Sequence, residues 1–419
     1  MRTYATLVLG CKVNDYEASY VEQEMNKDYQ KVSFKERADI YLIFTCAVTN
    51  VAEAKSRKYI HQARRLNPDA YIVAIGCYVQ TGKIDEFKDV DLLIGTGEKA
   101  KIKSLIDEAY KGSRVKDLKN IEFEEMFLHS YQRKDRAFLK IQDGCNQYCS
   151  FCVIPYARGQ ERSAKHELVI KQAQELVKQT PEIVLTGIHT GRYDDGVMHL
   201  SDLLKELVKI EDLKTLRLSS IEVTELPEEL IQLLVKEEKL ANHLHIPLQS
   251  GSDNILEKMI RPYDCDYFYE KVSHIRELIP DINISTDLIV GFPNESEEDF
   301  LETLNFIKKV KFGFIHVFPY ARKKGTSADK MSGFVKPEIV KERIKKVNEV
   351  QKEIRKQCLK EYIGKEVEVF VENEIGEYKN GYCKQYFPVS FKGECSTGSI
   401  VNVKIVGSDD DSLKGELCF

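Results

Sequence analysis

Cysteine is the residue type here whose chemistry most needs explaining. Eleven cysteines stand among 419 residues. The number is odd and the chain is far too long to depend on disulfide staples, so thiolate ligation or catalysis is the better reading. Cys145, Cys149 and Cys152 are grouped tightly, within Gly144-Cys145-Asn146-Gln147-Tyr148-Cys149-Ser150-Phe151-Cys152. Thiolates at CxxxCxxC spacing can each take one iron of a 4Fe–4S cluster, leaving the last iron an open position for a small molecule. The aromatic rings of Tyr148 and Phe151 are placed to shield the sulfurs. A zinc knuckle or incidental thiols are the alternatives, although no histidine or further cysteine lies near enough in sequence to close a tetrahedral zinc site.

Cys11, Cys46 and Cys77 form a looser set, each just past the end of an apolar run that reads as a strand: Thr3 to Leu9, Ile40 to Phe44 and Tyr71 to Ile75. If those strands are parallel, their carboxyl ends share one edge, the place where α/β folds bind ligands, and the cysteines converge there to hold a second cluster. Otherwise each is a small buried hydrophobe. Cys265, Cys358, Cys383, Cys395 and Cys418 follow no such pattern and read as structural thiols.

Asn14 to Met25 and Val51 to Leu66 have the apolar spacing of helices packed on a parallel sheet, and Leu92 to Ile94 is a weaker further strand. Residues 1–112 therefore read as a parallel α/β domain. Lys111 to Arg133 lacks periodicity and reads as a linker. Strand candidates recur at Ala137 to Ile141, Ile183 to Leu185, Thr215 to Leu218, His243 to Ile246, Ile282 to Ile289 and Phe314 to Phe318. These alternate with helices, which suits an open, partial (β/α)6 barrel within residues 131–361, closed by a long basic helix from Lys336 to Tyr362. Glycine-punctuated runs at Glu366 to Val371, Lys379 to Tyr386 and Ile400 to Val406 make residues 362–419 a small β-barrel.

The CxxxCxxC loop after the first strand of a β/α barrel resembles the radical S-adenosylmethionine superfamily. That resemblance implies a low-potential cluster that cleaves S-adenosylmethionine to a 5'-deoxyadenosyl radical. Both cysteine sets together, with the terminal β-barrel, resemble the methylthiotransferase family over essentially the whole chain. The family implies an auxiliary 4Fe–4S cluster on Cys11, Cys46 and Cys77 that carries sulfur, and a terminal TRAM domain. Within it, Leu9-Gly10-Cys11-Lys12-Val13-Asn14, Leu185-Thr186-Gly187-Ile188-His189-Thr190-Gly191 and His316-Val317-Phe318-Pro319-Tyr320 resemble the branch acting on threonylcarbamoyl-adenosine beside the anticodon in tRNA. The isopentenyl-adenosine branch more often has Gln and Met after the first cysteine, and the branch acting on a ribosomal-protein aspartate has Pro and Lys. The resemblance also implies a low-potential electron donor and a sulfur donor as partners. A two-cluster electron carrier and a zinc-holding tRNA-binding protein are the rival classes.

In the barrel reading, residues at strand carboxyl ends face the cofactor. Thr186 and Gly187 match the family's contact for the amino group of S-adenosylmethionine. Ser219, Ser220 and Glu222, then Gln249, Ser250 and Gly251, then Asp287 with Gly291, Phe292 and Pro293, end the next strands, with ordinary turn chemistry as their alternative. Arg158 matches the Arg of the family's P-x-x-R-G stretch and is expected to recognise a carboxylate or phosphate. Ala321 replaces a serine common in the family.

Composition limits what the partners can be. Lys plus Arg number 62 against 67 Asp plus Glu, a formal charge of -5, with 42% hydrophobic and 31% charged residues. This excludes collagen, coiled-coil and disordered classes. It also removes any general electrostatic signature of RNA binding, so RNA contact must come from local patches such as Lys55 and Arg57, with Lys58, Arg64 and Arg65, on one helix. The last domain carries six lysines against ten acidic residues from Tyr362 onward. Its RNA contact is expected from stacking on Tyr382, Tyr386 and Phe387. No apolar run approaches bilayer length and Thr3 to Leu9 is too short for a signal peptide, so a cytoplasmic protein is expected; a monomer is expected separately, as nothing in the sequence fixes the oligomeric state.

Overall fold

The computed structural model describes residues 1–115, 117, 118, 121–131 and 136–418. Strands β1 (Thr3–Val8), β2 (Gln30–Lys31), β3 (Ile40–Thr45), β4 (Tyr71–Gly76), β5 (Leu92–Ile94) and β6 (Gly112–Arg114) form one parallel sheet of order β2-β1-β3-β4-β5-β6. Every residue of β3 is buried because helices cover both faces. Tyr41 and Ile43 pack with Ile60 and Ala63 of helix Asn50–Leu66, whereas Leu42 and Phe44 pack with Ala18, Val21 and Met25 of helix Lys12–Met25. Period-2 alternation thus sorts one strand between two helices.

Two strands were not expected. The edge strand β2 adds to β1, and β6 lies inside the stretch expected to be a linker, running past residue 112 to Arg114. Its Gly-Ser composition hides it, because an edge strand needs little side-chain packing. Of the expected linker, residues 116, 119, 120, 132 and 133 lie outside the described residues, while Met126, Leu128 and Tyr131 pack into the next core.

The central strands are β7 (Ala137–Lys140), β8 (Gln142–Asp143), β9 (Arg162–Ser163), β10 (Glu182–Thr186), β11 (Thr215–Leu218), β12 (His243–His245), β13 (Asn283–Val290) and β14 (Phe314–Pro319). Two parallel sheets, β7-β10-β11 and β12-β13-β14, are joined by the isolated bridges Leu216–Leu240 and Ser220–His245, and β8 and β9 pair as a short ribbon. Among the described residues β14 does not pair with β7, so the partial barrel stays open. Helix Lys12–Met25 lies against β7, and helix Pro337–Lys360 lies against β14.

The last unit is a closed barrel of order β15-β16-β17-β19-β18, built from β15 (Glu366–Ile375), β16 (Tyr378–Cys383), β17 (Pro388–Lys392), β18 (Ile400–Ser408) and β19 (Leu413–Leu417). β17 and β19 escaped the sequence reading because one begins at a proline and the other contains Gly415, both disfavoured in strand interiors. This barrel docks at the amino-terminal ends of the central strands. Arg217 donates to the carbonyls of Cys383 at 2.9 Å and Lys384 at 2.8 Å, and the Asn283 amide donates to the Gln385 carbonyl at 2.7 Å.

Candidate iron–sulfur and substrate site

The CxxxCxxC loop leaves β8 through Gly144, whose φ of +77° and backbone contact with Gln160 leave no room for a Cβ. Each sulfur then meets a donor. The Gln147 amide points at Cys145 Sγ (3.4 Å), the Ile154 amide at Cys152 Sγ (3.4 Å), and the Arg261 guanidinium at Cys149 Sγ (3.1 Å). Such donors favour thiolate charge and tune a cluster's potential, so this donor set fits three iron ligands. In the thiol form burial pushes Cys152 up to about 12, with repulsion from Cys149 adding to it. Ser150 pins the loop, its amide donating to Met259 (3.0 Å) and its hydroxyl to Lys258 (2.7 Å). Phe151 packs beside Met259 and Phe292, whereas Tyr148 is 48% exposed and meets Tyr156 edge-on.

Cys11, Cys46 and Cys77 lie at the carboxyl ends of β1, β3 and β4. Gly10, at φ +102°, lets β1 approach Cys46; a Cβ there would sit 3.0 Å from the Cys46 Cβ and 3.1 Å from its sulfur. The Asn14 amide donates to Leu9 (2.7 Å) and Thr45 (3.0 Å), tying together the loops that carry Cys11 and Cys46. Burial pushes the Cys46 thiol up to about 11, with Cys77 and Cys11 close enough to add to the shift. Two buried thiols and an exposed one converging on one sheet edge suit a ligand set, because iron displaces their protons.

Arg158 joins the two sets. It ends helix Ile154–Arg158, directly after the CxxxCxxC loop, and its guanidinium is wholly buried. Nε donates to Cys77 Sγ at 3.3 Å, Nη1 to Glu17 at 3.0 Å and to Asp143 at 3.2 Å, and Nη2 to Asn14 at 2.8 Å. The role expected for it, recognising a substrate carboxylate or phosphate, is therefore corrected: the carboxylates it binds belong to the protein. Lys99 and Lys140 reach Glu17 at 2.6 and 2.7 Å, and Lys140 and Arg162 reach Asp143 at 2.8 and 3.0 Å. Although burial opposes ionisation, Arg158, Lys140 and Lys99 hold the Glu17 carboxyl far below its usual range. The Arg158 guanidinium thus places positive charge directly beside Cys77, matching the negative charge of a thiolate-ligated cluster.

The other expected residues are placed unequally. Thr186 and Gly187 end β10 beside Gln142, whose Oε1 accepts from the amides of Ile188 (3.0 Å) and His189 (2.7 Å). Ser219 is buried against the Thr190 hydroxyl (2.8 Å), and Ser220 is exposed. Glu222 pairs with Arg261, and burial raises its carboxyl. Gln249 has φ of +69°, and its amide donates to the Asp287 carbonyl at 2.9 Å. The Asp287 carboxylate meets His245 Nε2 at 3.3 Å. Ser250 and Gly251 pack on Thr303, and the Gly291 amide caps Glu295, while Phe292 and Pro293 are buried; this is turn and core chemistry.

Two surface expectations change. Lys55 is exposed, but Arg57 donates to the Tyr78 hydroxyl (2.5 Å), and Arg64 is spent on the Pro68, Ala70 and Asp89 carbonyls and Asp91. Tyr382 stacks on Tyr386 at 4.8 Å with Arg136 over both rings at 5.1 Å, so these rings serve the docking of the terminal barrel rather than a base. His189, Gln142, Arg261 and Glu17 escaped the sequence reading. His189 approaches Cys145 Sγ at 3.5 Å and Glu225 at 2.7 Å, and hydrogen bonds to Cys145, Glu161 and Glu225 overcome burial to raise it to about 12. Its appearance in Leu185–Gly191 was the only available signal.

Residues 139–307 match the Radical SAM superfamily, and residues 3–95, which contain Cys11, Cys46 and Cys77, match an uncharacterized protein family, UPF0004. The apo structure of OxsB, a cobalamin-dependent S-adenosylmethionine radical enzyme, has a similar fold, with a TM-score of 0.53 at 13% identity over 83% of this chain and 56% of that one. Fold and loop thus define a radical SAM enzyme, with S-adenosylmethionine and an iron–sulfur cluster as its cofactors. The threonylcarbamoyladenosine tRNA methylthiotransferase MtaB of Bacillus subtilis (strain 168) is 40% identical over 97% of this chain and 94% of its own length. The enzyme of that name from Aquifex aeolicus (strain VF5) is 38% identical over 95% and 98%. The tRNA-2-methylthio-N(6)-dimethylallyladenosine synthase of Thermodesulfovibrio yellowstonii is 33% identical over 97% of each. The chain belongs to the radical SAM tRNA methylthiotransferase family. No helix among the described residues is long and apolar enough to cross a membrane.

Proposed function

We propose that this enzyme methylthiolates carbon 2 of N6-threonylcarbamoyladenosine, on the 3' side of the anticodon in tRNA, using two 4Fe–4S clusters. The observation that carries the two-cluster reading is Arg158, whose backbone follows Cys145, Cys149 and Cys152 and whose guanidinium touches Cys77. In this reading residues 1–112 hold the auxiliary cluster, 131–361 the radical chemistry and 362–419 a TRAM-like barrel. Cys145, Cys149 and Cys152 hold one cluster and Cys11, Cys46 and Cys77 the other. When bound, the first supplies reductive cleavage of S-adenosylmethionine, and the second holds the sulfur to be delivered. The chain's own part is to fix the two sites against one another and to line the space between them. Thr186, Gly187, Ser219, Ser220, Glu222 and Gln249, at strand carboxyl ends, face S-adenosylmethionine, and Asp287, inside β13, faces the substrate. A low-potential electron donor and a sulfur donor are required partners, and Lys55 offers a phosphate contact.

The threonylcarbamoyl substrate is supported by the strings around Cys11, Thr186 and His316 and by the names of the relatives at 40% and 38% identity. Dimethylallyladenosine is the second reading, supported by the relative at 33%. Nucleoside mass spectrometry of tRNA from cells lacking this gene separates them. Loss of methylthio-threonylcarbamoyladenosine alone is expected; loss of the methylthio-dimethylallyl nucleoside alone contradicts the substrate.

A further inference from the structure

Helix Lys12–Met25 covers the edge of the open barrel at β7, and Tyr16 on it is buried in the barrel core, with its hydroxyl donating to the Met126 carbonyl at 2.6 Å. Lys12 lies four residues earlier, on the same helix face, and so points toward the open side of the barrel. It directly follows Cys11. Lys12 is half-buried and has no hydrogen-bond or ion-pair partner among the described residues, although it lies within electrostatic range of His243 and His316.

The opposite wall follows from strand register. His245 is opposite Ser285, and Asp287 is opposite His316, so strand alternation puts His245, Ser285, Asp287 and His316 on one face of β12-β13-β14. His245 Nδ1 lies 2.9 Å from the Ser285 hydroxyl and Nε2 lies 3.3 Å from Asp287. Ligand-competent atoms of His245, Asp287 and His316 all fall within 4.8 Å of one another. His316 is exposed and stacks beside Phe318, itself 39% exposed. The Lys12 ammonium thus lies within electrostatic range of His316, on the strand face that also carries His245 and Asp287, while Arg136 and Arg217 add positive charge to its surroundings.

We propose that Lys12, His245, Asp287 and His316 form a subsite for the amino-acid substituent of the modified base, with Lys12 and His316 taking its free carboxylate and the His245–Asp287 pair its hydroxyl. This rests on the threonylcarbamoyl reading above and identifies what that site recognises. A carboxylate suits an ammonium that the fold leaves unpaired, whereas a purely hydrocarbon substituent would leave that ammonium unsatisfied.

The test compares anticodon stem-loop RNA carrying threonylcarbamoyladenosine with the same RNA carrying its carboxyl methyl ester. The readout is the ratio of kcat/KM for the two within one enzyme preparation, so that incomplete folding or cluster loading cancels. The wild-type enzyme is expected to prefer the acid by about tenfold or more, as a site built for a charged hydrogen bond does. Lys12→Gln should bring the ratio near unity, and Lys12→Arg should restore it. A wild-type preference that persists in Lys12→Gln and in His316→Phe overturns the subsite. A wild-type enzyme that modifies neither RNA but does modify dimethylallyladenosine RNA overturns the reading beneath it.

Discussion

Arg158 occupies a position that no neutral side chain can fill without cost. Truncating it removes the one cation that binds Glu17, Asp143 and the Cys77 sulfur together and leaves the buried network short of a donor. Breaking a buried ion network from one side costs about 3–5 kcal/mol, so Arg158→Met should lower the urea midpoint markedly, with Arg158→Lys between it and the wild type. Equal midpoints for Met and wild type would refute the network's role. The cysteines make a second prediction at this scale. Burial holds Cys46 up to about 11 and Cys152 up to about 12, so both are protonated near neutrality and iron must displace their protons. Apparent iron affinity during anaerobic reconstitution should rise steadily between pH 7 and 9; a flat profile would show that these thiols are already ionised. The cysteine sets were legible because one is a local motif and the other follows strand ends. Arg158 was legible only as a motif position, since its partners Asn14 and Glu17 lie 144 and 141 residues away.

Helix Glu297–Val310 begins with a capping box between Ser296 and Asp299, and the same carboxylate accepts from Ser252 and Asn254, each at 2.8 Å. Although burial opposes ionisation, these donors hold Asp299 at about 2, below its usual 3.8. A depressed carboxyl stabilises the fold above the unfolded value and loses that stabilisation as pH falls through the folded one. Asp299→Asn should therefore cost on the order of 2 kcal/mol at pH 7, a difference that shrinks below pH 4 as the wild-type carboxyl protonates. Thermal melts across pH 2–7 check this, and a gap independent of pH would contradict it. Central strands and helices were legible here from hydrophobic period alone. The cap's reach into the loop after β12 was not, because it pairs residues 47 apart.

The whole molecule is fastened at both ends of the central strands. Toward the cysteine loops, the Arg158 network and the Lys323–Glu53 pair at 2.8 Å bind the first sheet to the barrel. At the amino ends, Arg217 threads between Glu182, at 2.7 Å, and the Cys383 and Lys384 carbonyls. Arg217→Ala should accelerate amide exchange across β16 and β17 while exchange in β3 and β4 stays slow; uniform protection would show that the terminal barrel is held by other contacts. The acidic terminal barrel was expected to use its tyrosines on RNA, and composition could not reveal that Arg136 and Arg217 already occupy them. The central claim is that two cysteine sets hold two clusters with separate tasks. Its most direct test is iron content and 5'-deoxyadenosine formation, measured on the same reconstituted samples. The wild type should hold about eight irons, and the variant with Cys11, Cys46 and Cys77 all changed to alanine about four while still cleaving S-adenosylmethionine. Unchanged iron in that variant, or cleavage that survives Cys145→Ala, would contradict the account.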